Sequence, residues 1–125
     1  HQTDYLKVHA DLDIADFSEL DLNFLAELHS LEPYGPGNEE PIFRLTNFQI
    51  IEVTRLGADR NHLRLDVKDE HGKSLKLIAF YPPKSWLNID AQLDHIAPLV
   101  KLVENEYNGI KSLEARIVDI DFLDS

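Results

Sequence analysis

Along residues 62–68, Leu63, Leu65 and Val67 alternate with His62, Arg64, Asp66 and Lys68. Strict alternation sends one set into a core and the other to solvent, as a half-buried strand requires. The same texture predicts strands over Phe43–Leu56, Ser74–Phe80, His95–Asn105 and Lys111–Asp121. Gly57-Ala58-Asp59-Arg60-Asn61, Asp69-Glu70-His71-Gly72 and Asn108-Gly109 read as turns between them. The segment 82–94 breaks the β pattern and predicts a short helix. Leu63, Leu65, Val67, Leu75, Leu77, Leu113 and Ile117 are the expected core.

Upstream, Leu6, Val8, Ala10 and Leu12 alternate with Lys7, His9 and Asp11, a strand pattern whose partners would belong to another domain. Asp21 is the expected N-cap of a helix over residues 21–31, with Phe24, Leu25, Leu28 and Leu31 on its apolar face. The stretch Leu31 to Phe43 carries Pro33, Gly35, Pro36, Gly37 and Pro41. Proline fixes φ and removes a donor while glycine permits positive φ, so this is a shaped connector and not an element interior. The domain division that follows is an arm over 1–42 and a β domain over 43–125. The fold class is mainly β: a five-stranded OB-fold barrel with an N-terminal linking helix and a Pro/Gly-rich connector. An SH3-like barrel would lack the 82–94 insertion, and a sandwich needs about seven strands.

The chain has 125 residues and a net charge of −11. That acidity opposes nucleic acid at first sight, because binding needs cations to displace counterions. Its distribution alters the reading. Residues 1–42 hold ten acids and one base, 43–93 six acids and eight bases, and 94–125 seven acids and three bases. The acidity therefore sits in the arm, as a solvated face or one that docks a basic partner domain. No cysteine is present, which excludes disulfides, thiolate metal sites and cysteine catalysis. With no signal pattern and no apolar run near about 20 residues, the chain is expected to be cytoplasmic, monomeric and without membrane contact. It begins at His1 and contains no methionine, which points to a processed product or a piece of a larger protein.

Candidate chemistry is sparse. Gly35-Pro36-Gly37 has Glu40 where a dinucleotide fingerprint needs glycine, and no Walker lysine follows. Asp11, Asp13 and Asp16 fail the EF-hand pattern at Asp16 and Leu22. Asp119 and Asp121 share a strand face, a pattern more often a solvated pair than a cation site. The histidines at 1, 9, 29, 62, 71 and 95 never fall at ligand spacing, and no serine sits in a nucleophile elbow. No catalytic residue, metal ligand or cofactor site is therefore assigned. One constellation remains: Arg55, Arg60, Arg64, Lys68, Lys73, Lys76 and Lys84 interleave with Phe80, Tyr81, Trp86 and Tyr107. Cations for phosphates and aromatic faces for bases are how OB domains hold single strands. Arg55, Arg60, Arg64, Lys76 and Lys84 are the phosphate candidates; Tyr81, Trp86 and Tyr107 are the stacking candidates. Phe80 and Trp86 could equally fill a small barrel's core.

The stretch from Leu31 to Phe43 resembles L-x-P-[FY]-G-x-G-N-x-x-P-x-F, a signature of RecJ-type single-strand-specific DNA exonucleases. His62-Leu63-Arg64-Leu65, Leu77-Ile78-Ala79-Phe80, Asn105-Glu106-Tyr107-Asn108-Gly109 and Leu113 to Asp119-Ile120 are similar to that family's OB segments. Ala10-Asp11-Leu12 to Leu31 resembles the helix linking the DHH-associated domain to the OB domain. The resemblance implies a 5′→3′ exonuclease acting on single-stranded DNA, with Mn²⁺ or Mg²⁺ held by a DHH domain. Neither Asp-His-His nor Gly-Gly-His occurs here. The resemblance therefore implies a non-catalytic OB portion that guides single-stranded DNA beside the nuclease domains of the same parent. The alternative is a structural or protein-interaction module.

Overall fold

The computed structural model describes residues 9–123. The expected strand residues Leu6–Val8 lie outside them. The architecture is mainly β, with strands β1 (Leu12–Ile14), β2 (Phe43–Leu45), β3 (Phe48–Leu56), β4 (His62–Asp69), β5 (Ser74–Ala79), β6 (Ile96–Tyr107) and β7 (Ile110–Phe122). Among the described residues one α-helix, α1 (Leu22–His29), and two 3₁₀ turns, Phe17–Glu19 and Lys84–Asn88, complete it.

Seven strands stand where the pattern predicts five, for two reasons. The first expected strand breaks at Asn47, whose φ of 57° cannot continue a ladder. Its halves, β2 and β3, pair with different neighbours. The second reason is β1, which adds a parallel edge with Leu12 opposite Phe43 and Ile14 opposite Leu45. Of the expected arm strand only Leu12 falls within β1, and there its partner is β2 of the same chain. The sheet order is β1-β2-β6-β7-β5-β4-β3. Among the described residues no ladder joins its two ends, so hydrogen bonds between them do not close the sheet. Because β2 and β3 are successive parts of one run of chain, the sheet nevertheless curls around a single core.

That core contains Leu63, Leu65, Val67, Leu75, Leu77 and Ile117, with Leu113 half-buried against it. Ile14, Phe17, Leu20 and Leu25 of the arm belong to the same cluster. Helix α1 and the Phe17–Glu19 turn cover one end of the barrel, where the Phe17 ring meets that of Phe48 at 6.2 Å. The Lys84–Asn88 turn covers the other end and inserts Trp86. Arg55 ties that turn to β3, donating to the Leu87 carbonyl at 2.9 Å and to Asn88 at 3.1 Å.

Local chemistry explains the arm. The Asp21 carboxylate accepts from the Phe24 N–H at 2.8 Å, the N-cap bond that satisfies an orphan donor of α1. At the other end Tyr34 Oη donates to the Leu28 carbonyl, and Asn38 Nδ2 donates to the carbonyls of Leu31 and Pro33. The Pro/Gly connector is thus the device that ends the helix and turns the chain into β2. Burial, with Glu32 and Glu40 nearby, pushes the Tyr34 phenol above its ordinary value. Asp69, buried at the end of β4, joins arm to barrel. Burial pushes its carboxyl up, but N–H bonds from Phe17 (2.8 Å), Lys73 (2.8 Å) and His71 (2.9 Å) more than offset this and hold it low.

Candidate nucleic-acid interface

The strand alternation that buries Leu63 and Leu65 turns Arg64, Asp66 and Lys68 outward on β4. Register then assembles a row across five strands. Thr54 lies opposite Arg64, Arg64 opposite Ile78, Ile78 beside Arg116, and Arg116 opposite Lys101. Residues opposite one another share a face, so Arg64, Arg116 and Lys101 stand on one outer surface. Lys76, opposite Asp66, and Lys68, opposite Ser74, extend it along β4 and β5.

Acids temper this surface. Arg64 grips Asp66 through Nη2 at 3.0 Å and Nε at 3.1 Å. Arg116 pairs with Glu114, and Lys101 approaches Glu40 at 3.7 Å. Lys68, Lys73, Lys76, Lys84 and Arg60 make no ion pair with another described residue. The Arg64–Asp66 and Arg116–Glu114 pairs are part-buried, and Glu114 is itself buried, so an incoming phosphate must compete with carboxylates that are costly to leave unpaired.

The aromatic residues gather at the end of β5. Phe80 and Tyr81 are 54% and 74% exposed, large fractions for such rings. The Arg116 guanidinium lies over the Phe80 ring, 4.8 Å from its centroid, a cation–π contact. His62, at the start of β4, stands beside both rings, at 5.2 Å from Phe80 and 4.4 Å from Tyr81. Arg60 sits in the adjoining turn with φ of 60°.

The candidates therefore divide. Arg64, Lys76 and Tyr81 occupy one face and its end, with Arg60 adjoining. Arg55 is committed to the Leu87 carbonyl. Lys84 is exposed on the neighbouring 3₁₀ turn. Trp86 is only 9% exposed and belongs to the core, so its ring offers no open stacking face. Tyr107 is exposed at the β6–β7 hairpin tip, six positions and about 20 Å along β6 from Lys101. Arg116, Lys101 and His62 escaped the sequence reading. The acids of 94–125 masked the first two, although Ala115 and Ile117 pointing inward already imply Arg116 pointing outward.

A family model described as the RecJ OB domain matches residues 11–119. The chain belongs to the RecJ OB-domain family. The crystal structure of RecJ from Thermus thermophilus in complex with Mn²⁺ is 28% identical, with a TM-score of 0.70 over 94% of this chain. The Mg²⁺ complex of RecJ from the same organism is 26% identical, also with a TM-score of 0.70 over 94% of the chain. The chain spans only 16% and 17% of those RecJ chains. No curated protein matches it. The fold is thus OB-like. No helix among the described residues is long and apolar enough to cross a membrane.

Proposed function

We propose that this RecJ OB domain is the single-stranded-DNA-guiding module of a RecJ-like 5′→3′ exonuclease. The observation that carries the reading is the outward row of Arg64 and Arg116, continued by Lys76 and Lys68 and ending at the exposed rings of Phe80 and Tyr81. Phosphodiester cleavage belongs to nuclease domains of a longer parent, which would hold Mn²⁺ or Mg²⁺. This portion contributes neither a catalytic residue nor a metal ligand. The arm over 1–42 links the barrel, 43–125, to those domains, and the module acts as a monomer in the cytoplasm.

A second reading, a structural or protein-interaction module, is favoured by the acids that engage Arg64 and Arg116 and by the net charge of −11. Titration of labelled oligo-dT, followed by anisotropy at several salt concentrations, separates the two. Guiding predicts weak binding, poorer for duplex, with a log–log salt slope of about −0.7 per phosphate contacted. Lys76→Ala should make that slope shallower. Absence of binding to oligo-dT at low salt would leave the interaction reading in possession.

A further inference from the structure

We infer that Tyr81 is a base-stacking residue for single-stranded nucleic acid and that His62 is the positioning residue that holds its ring outward. The inference rests on the nucleic-acid reading above.

Tyr81 adopts φ of 46°, the left-handed region that a bulky side chain rarely occupies. It also precedes Pro82, which normally drives the preceding residue toward extended backbone. An uncommon conformation of this kind persists only where the surroundings over-determine it. His62 supplies both a backbone and a ring contact to Tyr81. The Tyr81 N–H donates to His62 Nδ1 at 3.1 Å, which assigns the ring proton to Nε2. The imidazole contacts both successive aromatic rings and is steeply inclined to each: 72° to Phe80 and 82° to Tyr81.

His62 is itself held from behind. Gly57, with φ of 93°, approaches so closely that a Cβ there would lie 2.9 Å from His62 Cδ2. The turn that carries Arg60 thus sets the imidazole, and the imidazole sets Tyr81. The result is a phenol ring left 74% exposed beside Phe80, whose own ring carries Arg116. A flat, open aromatic face next to a guanidinium fits a nucleobase with its adjoining phosphate. Every base has a π-face, so the contact would not select sequence.

Binding of labelled oligo-dT to the wild type, Tyr81→Ala, His62→Ala, His62→Asn and the Tyr81→Ala/His62→Ala double variant tests this. Tyr81→Ala should weaken binding about 5- to 150-fold with the salt slope unchanged, as expected for loss of stacking. His62→Ala should weaken it less. The double variant should bind like Tyr81→Ala, because a residue acting through another is not additive with it. His62→Asn, whose Oδ1 can accept from the Tyr81 N–H, should recover part of the loss. Normal binding by Tyr81→Ala, whose exposed side chain makes no core contact, would overturn the inference. So would additive losses in the double variant. If the wild type binds and Lys76→Ala flattens the slope while Tyr81→Ala is neutral, the guiding role stands and the stacking assignment falls. If the wild type fails to bind, both fall.

Discussion

Phe17→Ala probes whether the arm and the barrel fold as one unit. Phe17 precedes the barrel by 26 positions, yet none of its surface is exposed, and it lies in the same apolar cluster as Leu65 and Leu77. Truncating a buried phenylalanine costs about 3–5 kcal/mol, the transfer loss plus the cavity left behind. The contact with Phe48 at 6.2 Å is within aromatic pairing range and is lost with it. The backbone bond from Phe17 to Asp69 is retained, since alanine keeps its N–H. Against a total of about 5–15 kcal/mol for an ordinary domain, the loss is about a fifth of the stability or more. Urea unfolding should be followed by far-UV circular dichroism and by fluorescence of Trp86, the only tryptophan. Trp86 plugs the end of the barrel opposite Phe17, so it reports on the barrel and not on the arm. Both signals should shift together, to a lower midpoint with an unchanged m-value. A Trp86 transition that moves by less than about 1 kcal/mol while circular dichroism loses an early phase would refute a shared core.

Two further perturbations follow from the geometry. The lowered Asp69 carboxyl contributes stability that is fully present above about pH 4 and lost as pH falls through its depressed folded value. Asp69→Asn should therefore flatten the acid limb of a thermal-stability profile, and an unchanged limb would mean that Asp69 is not the group responsible. Gly57 and Gly72 have similar φ values of 93° and 85°, but a Cβ at Gly72 meets nothing within 4 Å while one at Gly57 strikes His62. Gly72→Ala should cost about 1–2 kcal/mol from left-handed backbone alone. Gly57→Ala should cost more in parallel melts, and equal costs would show that His62 simply gives way.

Most of the barrel was legible because alternation is a local signal. Leu63, Leu65, Val67, Leu75, Leu77 and Ile117 face inward as their periodicity requires. Asp21 caps α1 as its side chain allows, and Asn108-Gly109 turns β6 into β7 with both residues at positive φ. The break at Asn47 was not legible. Nothing in Thr46-Asn47-Phe48 marks an interruption, and only asparagine's tolerance of the left-handed region hints at it. The partner of β1 was hidden for a different reason. A parallel pairing across 31 positions, Leu12 with Phe43, depends on the connector's path and not on either strand's pattern. The candidate face was half legible: composition singled out Arg64, Lys76 and Tyr81. Only register could bring Arg116 and Lys101 beside them, and only geometry could remove Trp86.

The acids on this face are the feature most at odds with a DNA-binding role, and their placement bears on how such a role would work. Asp66 and Glu114 each lie two positions from the arginine they engage, on the same strand face. Period-two spacing makes that pairing automatic, so the free surface carries arginines already partly neutralised. A phosphate must displace a carboxylate to gain one, which lowers affinity and leaves the freed carboxylate to repel the strand. Lys68 and Lys76, which pair with no acid among the described residues, impose no such exchange. If it meets a strand as proposed, a surface of this kind holds it loosely. Under the proposed guiding role that is an advantage, because a strand consumed from its end must move past the module after every cleavage. A grip tight enough to be measured easily would resist that movement.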